Sequence, residues 1–139
     1  MKKNNHELII YKKKYYAEVI RSTLKVKTTS FFSPPESSFQ FGLLAHKKGF
    51  VEPPHYHRHF KRVINDLQQM FVVQKGIVQV DLYSDDKKLI RKIILKKGDA
   101  IVLVYGIHAI KVLKDMQCIS VKQGPFLGPI FDKVNVKVK

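Results

Sequence analysis

The stretch IVQVDLYSDDK, residues 77–87, decides how the rest of the chain is read. Val78, Val80 and Leu82 alternate with Gln79, Asp81 and Tyr83, which puts the apolar side chains on one face of a strand. Ser84-Asp85-Asp86-Lys87 follows, in residue types that favour tight turns, so the strand is expected to enter a hairpin. The same pattern continues in both directions. Gly or Pro falls at 34–35, 42, 49, 53–54, 76, 98, 106, 124–125 and 128–129. Between them lie short runs rich in Val, Ile, Phe and Tyr: 39–45, 70–73, 77–83, 89–95, 100–105, 109–112 and 116–122. Their lengths and β-branched content predict strands. Lys97-Gly98-Asp99 reads as a further turn, and residues 8–11 and 15–24 read as two more strands. Val134, Val136 and Val138 alternate with polar residues, as a last edge strand or a tail would. Many short strands with such punctuation predict an all-β sandwich or barrel.

With 139 residues and 45% hydrophobic content, the chain has the size and core-forming capacity of one domain. No apolar stretch approaches the roughly 18 residues of a membrane span. The basic start leads into only a short apolar run before Lys12-Lys13-Lys14, which does not read as a signal peptide. One cysteine, Cys118, excludes an internal disulfide, and a cytoplasmic location is expected. The net charge of +15 invites a nucleic-acid reading. However, only four of the cations are arginines, and the lysines fall as pairs in turns, at 47–48, 87–88 and 96–97. No basic helix or aromatic-interleaved basic stripe is present, so nucleic acid is not the expected partner. The charge suits acidic small molecules.

The chemistry concentrates in EPPHYHRHF, residues 52–60, where His55, His57 and His59 occupy every second position. In an extended chain these imidazoles share one side. Neutral imidazole is a ligand for Zn, Fe, Mn, Ni and Cu. A site needs further donors, and His108, in VLVYGIHAI, and Gln69 are the candidates. The plain alternative is a solvated histidine rim. Cys118 reads as a small buried side chain rather than a nucleophile.

The turns around these residues resemble those of the cupins. The first cupin motif is matched by Gly49, five residues, His55-Tyr56-His57, and later Gln69, six residues and Gly76. The second is matched by Gly98, five residues, Val104-Tyr105-Gly106 and His108, which comes one residue early. Two departures stand out. Gln69 takes the place of the usual Glu, and eleven residues separate it from His57 where the motif has a few. The chain is also similar to a group of small single-domain cupins of undefined activity, often encoded among cell-surface polysaccharide genes. The shared segments are Phe31-Phe32-Ser33-Pro34-Pro35, Gln40-Phe41-Gly42, Pro53-Pro54-His55-Tyr56-His57, Arg62-Val63-Ile64, Lys75-Gly76, Val121-Lys122-Gln123-Gly124-Pro125-Phe126 and Asp132-Lys133.

The resemblance implies a jelly-roll barrel, the cupin double-stranded β-helix, in one domain over residues 1–139. N-terminal strands would take about 1–30, the barrel core 31–125, and a C-terminal strand or tail 126–139. It implies one divalent transition metal on His55, His57, His108 and Gln69. A glutamine ligand leaves the ion its full charge, which weakens cation affinity and strengthens the pull on an anion or water. His59, Arg62, Lys122 and Gln123 are the substrate-pocket candidates, Arg62 as a bidentate anion clamp. The expected function is a metal-binding small-molecule protein. An isomerase, epimerase or oxygenase acting on a sugar or sugar nucleotide is one version, and a non-catalytic ligand binder or sensor, with or without metal, is the other. Cupins often pair edge strands, so a homodimer through residues 8–24 or 134–138 is expected.

Overall fold

The computed structural model describes residues 5–138. Strands occupy 45% of it, and helix is confined to one turn, α1 (Pro129–Asp132), so the all-β expectation holds. The strands are β1 (His6–Tyr11), β2 (Lys14–Ile20), β3 (Ser30–Phe31), β4 (Gly42–Leu43), β5 (Gln69–Tyr83), β6 (Leu89–Lys96), β7 (Ala100–Leu103) and β8 (Ile107–Lys122). No helix among the described residues is long and apolar enough to cross a membrane. The chain forms two compact units: one contains the residues up to Leu24 and from Gln68 onward, the other is Lys25–Leu67.

The larger unit is a curled antiparallel sheet of six strands in the order β1-β2-β7-β5-β6, with β8 against β5. β5 is its spine. Gln69–Val72 pairs with β7 on one side, Ile77–Tyr83 pairs with β6 on that same path, and β8 accompanies nearly the whole strand. The change of neighbour occurs around Gly76, where the β5–β8 register shifts repeatedly between Val73 and Val78. Such bulges bend a strand and raise its local twist. The runs at 70–73 and 77–83 are therefore one bent strand, and those at 109–112 and 116–122 are another.

The core follows the alternation read from the sequence. Val78, Val80 and Leu82 are buried, beside Ile93 and Leu95 of β6, Ile101 and Leu103 of β7, and Ala17 and Val19 of β2. Each fully buried large aliphatic side chain contributes roughly 1.5–3 kcal/mol. Tyr16 packs edge-on between Tyr11 and Tyr105, with ring centroids 6.2 and 5.4 Å away. The turn at Lys97-Gly98-Asp99 forms as expected, with Gly98 at φ 84°. Asp99 fastens it to β2: its carboxylate accepts from Ser22 N at 2.9 Å, Lys96 N at 3.1 Å and Arg21 Nη1 at 3.1 Å. The Ser84–Lys87 hairpin turn also forms, closed by Lys87 N donating to Ser84 O at 2.9 Å.

The smaller unit holds one short ladder, Ser30↔Leu43 and Phe31↔Gly42. Gln40 pins the intervening loop by donating to Pro34 O at 2.8 Å and Ser37 O at 3.0 Å. One strand expectation is corrected, and one alternative is decided. Residues 39–45 contribute only Gly42–Leu43, because the flanking backbone N–H groups of Phe41 and Ala45 donate to the Ser33 and Thr29 hydroxyls instead of to a ladder. Residues 134–138 carry no strand, so of the edge strand or tail expected there it is the tail that forms.

Candidate metal and ligand site

His55, His57, His59 and Arg62 lie in the smaller unit, on backbone without strand structure. The strand geometry expected for this stretch is absent. Pro53 and Pro54 each lack the N–H that a ladder needs. His55 and His57 are nevertheless neighbours, with ring centroids 5.4 Å apart and planes at 86°. His55 Nδ1 lies 3.0 Å from Pro53 O, and its Nε2 lies 3.7 Å from Glu52 Oε1. With Nδ1 donating to that carbonyl, Nε2 carries the lone pair. This is the arrangement by which an outer hydrogen bond fixes the tautomer of a ligating histidine. His59 is exposed, and the Arg62 guanidinium sits over the Phe60 ring at 3.7 Å.

Gln69, His108, Lys122 and Gln123 lie in the larger unit, on or next to β5 and β8. Gln69 stands opposite Lys122, at one end of the β5–β8 ladder, and donates from Nε2 to Ser120 Oγ at 2.9 Å. His108 stands opposite Leu82 at the other end. Strands rise about 3.3 Å per residue, so Gln69 and His108 are separated by most of the length of β5 along its contour. Lys122 pairs with Asp132 Oδ2 at 2.7 Å and lies over the Phe126 ring. Gln123 accepts from the Gln68 backbone N–H at 2.8 Å, which ties the end of β8 to the start of β5. Among the described residues, no group of three or more His, Cys, Asp or Glu side chains is gathered for a metal ion. Within the smaller unit His55 and His57 are neighbours, and within the larger unit Gln69 and His108 stand apart.

His108 keeps an exposed side chain, and the partial desolvation by its neighbours, with Lys133 second, lowers its pKa from the ordinary histidine value of 6.5. The folded state therefore takes up this proton less readily than the unfolded chain. Above pH 6.5 His108 has no effect on stability; as pH falls through that value toward the lowered one, stability is lost. Urea midpoints of chelator-treated protein should drop from pH 7 to pH 5, and His108→Gln should remove part of that drop. An identical pH profile in the variant would show that His108 titrates normally.

Burial also raises the Cys118 thiol pKa, in keeping with a packing role. Sequence reasoning missed one buried polar group. Glu18, in the middle of β2, has no exposed surface and is hydrogen-bonded to the His6 ring and the Tyr15 hydroxyl. Burial, reinforced by Glu18, raises the Tyr15 pKa. A lone glutamate in the apolar run Tyr16-Ala17-Glu18-Val19-Ile20 was its signal.

Comparison with protein-family models, curated proteins and solved structures finds no match to this chain. Functional assignment rests on its own residues.

Proposed function

We propose that the chain is a metal-binding, small-molecule protein of the cupin type, with His55 and His57 as two ligands of one divalent transition ion. The observation that carries this is the His55–His57 juxtaposition, with His55 Nδ1 bonded to the Pro53 carbonyl and Glu52 close to its Nε2. The resemblance of the motifs names His108 and Gln69 as further donors, but they stand at opposite ends of the β5–β8 ladder, so at most one of them can join the histidine pair on a single ion. When bound, the ion would supply Lewis acidity toward a carbonyl or an anionic oxygen. The chain's own contribution is to orient the imidazoles and to leave the ion's charge undiminished where Gln69 replaces a carboxylate.

Between the catalytic and non-catalytic versions, one observation favours binding. Lys122, a substrate-pocket candidate, is engaged by Asp132, and Gln123 is engaged by the backbone of Gln68. The small ligand is proposed to be a sugar, sugar nucleotide or other small polar molecule, in keeping with the +15 charge. A homodimer is also proposed. β1 ends the strand order, and β8 is exposed along most of its length, with Ile110, Val112, Ile119 and Val121 in contact with solvent. Such edges favour pairing with another chain.

Metal retention after gel filtration, compared across variants, tests the ligand assignment. His57→Ala should lose the ion, and Gln69→Glu should hold it more tightly by adding a negative charge. Retention unchanged in His57→Ala would remove the histidine pair from the site.

A further inference from the structure

Past Ser30 and Leu43, the segments on either side of the β3–β4 ladder line an open, solvent-facing groove of about 550 Å³ within the smaller unit, with Lys27, His46, Lys47 and Phe50 exposed. Three local features build it. Thr29 Oγ1 accepts from Ala45 N at 3.1 Å, which holds the two chain segments side by side beyond the ladder. The same oxygen lies 3.3 Å from His46 Nε2, fixing that ring. Residues 47–50 then turn sharply, with Phe50 N donating to Lys47 O at 3.1 Å. Gly49 takes φ 91° at the third position of the turn, where a left-handed residue is needed. The turn folds Phe50 back onto His46, and their rings stack at 3.9 Å with planes 5° apart.

The groove so made has two chemical characters. Val26, Ala45 and Phe50 give apolar surface; Lys27, Lys47, Thr28 and His46 give polar surface. None of these lining residues is acidic. Its volume is of the order of small-molecule sites, roughly 300–1,000 Å³, although the groove is open to solvent rather than enclosed. Two ammonium groups and a hydroxyl suit a dianion better than a single carboxylate, and lysine is a common point-charge partner for phosphate. The rest of the chain, at +15, adds attraction at long range.

We propose that this groove binds a phosphate-bearing small molecule, with the phosphate between Lys27 and Lys47 and the body against Val26, Ala45 and the Phe50 ring. The site shares no residue with the histidine pair and stands apart from the metal reading. Because the turn and the ring stack are formed by the chain itself, the apolar wall is preorganised.

Phenyl phosphate, methyl phosphate and benzoate serve as probes, titrated at constant ionic strength with chelator present, so that metal binding at the histidines plays no part. Binding is followed by calorimetry and by amide chemical shifts. Phenyl phosphate should bind saturably, more tightly than either methyl phosphate or benzoate, with shifts centred on residues 26–28 and 45–50. Lys27→Gln with Lys47→Gln should weaken it by about tenfold or more. Lys96→Gln with Lys97→Gln removes equal charge from the β6–β7 turn and should leave affinity unchanged. Equal losses in the two double variants would reduce the effect to general charge and overturn the site. So would absence of saturation, shifts centred elsewhere, or benzoate binding as tightly as phenyl phosphate.

Discussion

Gly76→Ala is expected to lower the thermal midpoint by about 10 °C, corresponding to a loss of roughly 3 kcal/mol. Two costs combine. Gly76 has φ 86°, a region that costs an L-residue roughly 1–2 kcal/mol. A Cβ built there would also stand 2.1 Å from Asp115 O and 2.5 Å from Lys114 O. Those oxygens belong to β8 backbone, which cannot retreat without loosening the ladder that holds β5 and β8 together. Overpacking of this kind adds about 1–3 kcal/mol. Gly128→Ala separates the two costs, because Gly128 has φ 102° with nothing within 4 Å of the added carbon. It should show the strain without the collision, and a smaller drop. A Gly76→Ala midpoint within about 2 °C of wild type would mean that β5 and β8 do not approach as described.

Asp99→Ala should destabilise by about 2–4 kcal/mol in urea unfolding. The buried carboxylate satisfies the backbone N–H groups of Ser22 and Lys96 and neutralises Arg21. Truncation leaves two donors without that acceptor and a partly buried guanidinium without its nearest carboxylate. Arg21 keeps its bond to Ile94 O and the more distant Glu7, so the loss is local. In the Arg21→Gln background, Asp99→Ala should cost less, because the guanidinium is already gone. A loss below about 0.5 kcal/mol would mean that the turn is held by Gly98 alone.

The fold class was legible because Val78, Val80 and Leu82 alternate with polar neighbours and end in a turn-forming run. That pattern records burial of one face, which the structure confirms. The turns at Ser84–Lys87 and at Lys97-Gly98-Asp99 were legible for a related reason, since their residue types favour bends whatever surrounds them. Strand length was less legible. Gln74-Lys75-Gly76 reads as a break, yet the backbone bends there and the ladder continues. Whether a glycine ends a strand or bulges it depends on the partner strand, which lies some forty residues away along the chain.

The site was legible only in part. His55 and His57 do come together, although on a proline-restricted segment rather than a strand. Lys122 and Gln123 were legible as pocket candidates, but nothing in the sequence foretells that Asp132 and the Gln68 backbone engage them. The groove at His46 escaped notice because nothing in the run Ala45-His46-Lys47-Lys48-Gly49-Phe50 shows that the two rings stack. That depends on the sign of one glycine φ.

The most direct test is the metal content of wild-type protein prepared without a histidine tag and supplied in turn with Zn, Fe, Mn, Ni and Cu. About one tightly held ion per chain for at least one of these metals is the predicted result. A chain that retains none of the five would contradict the metal reading and leave His55 and His57 as a surface pair.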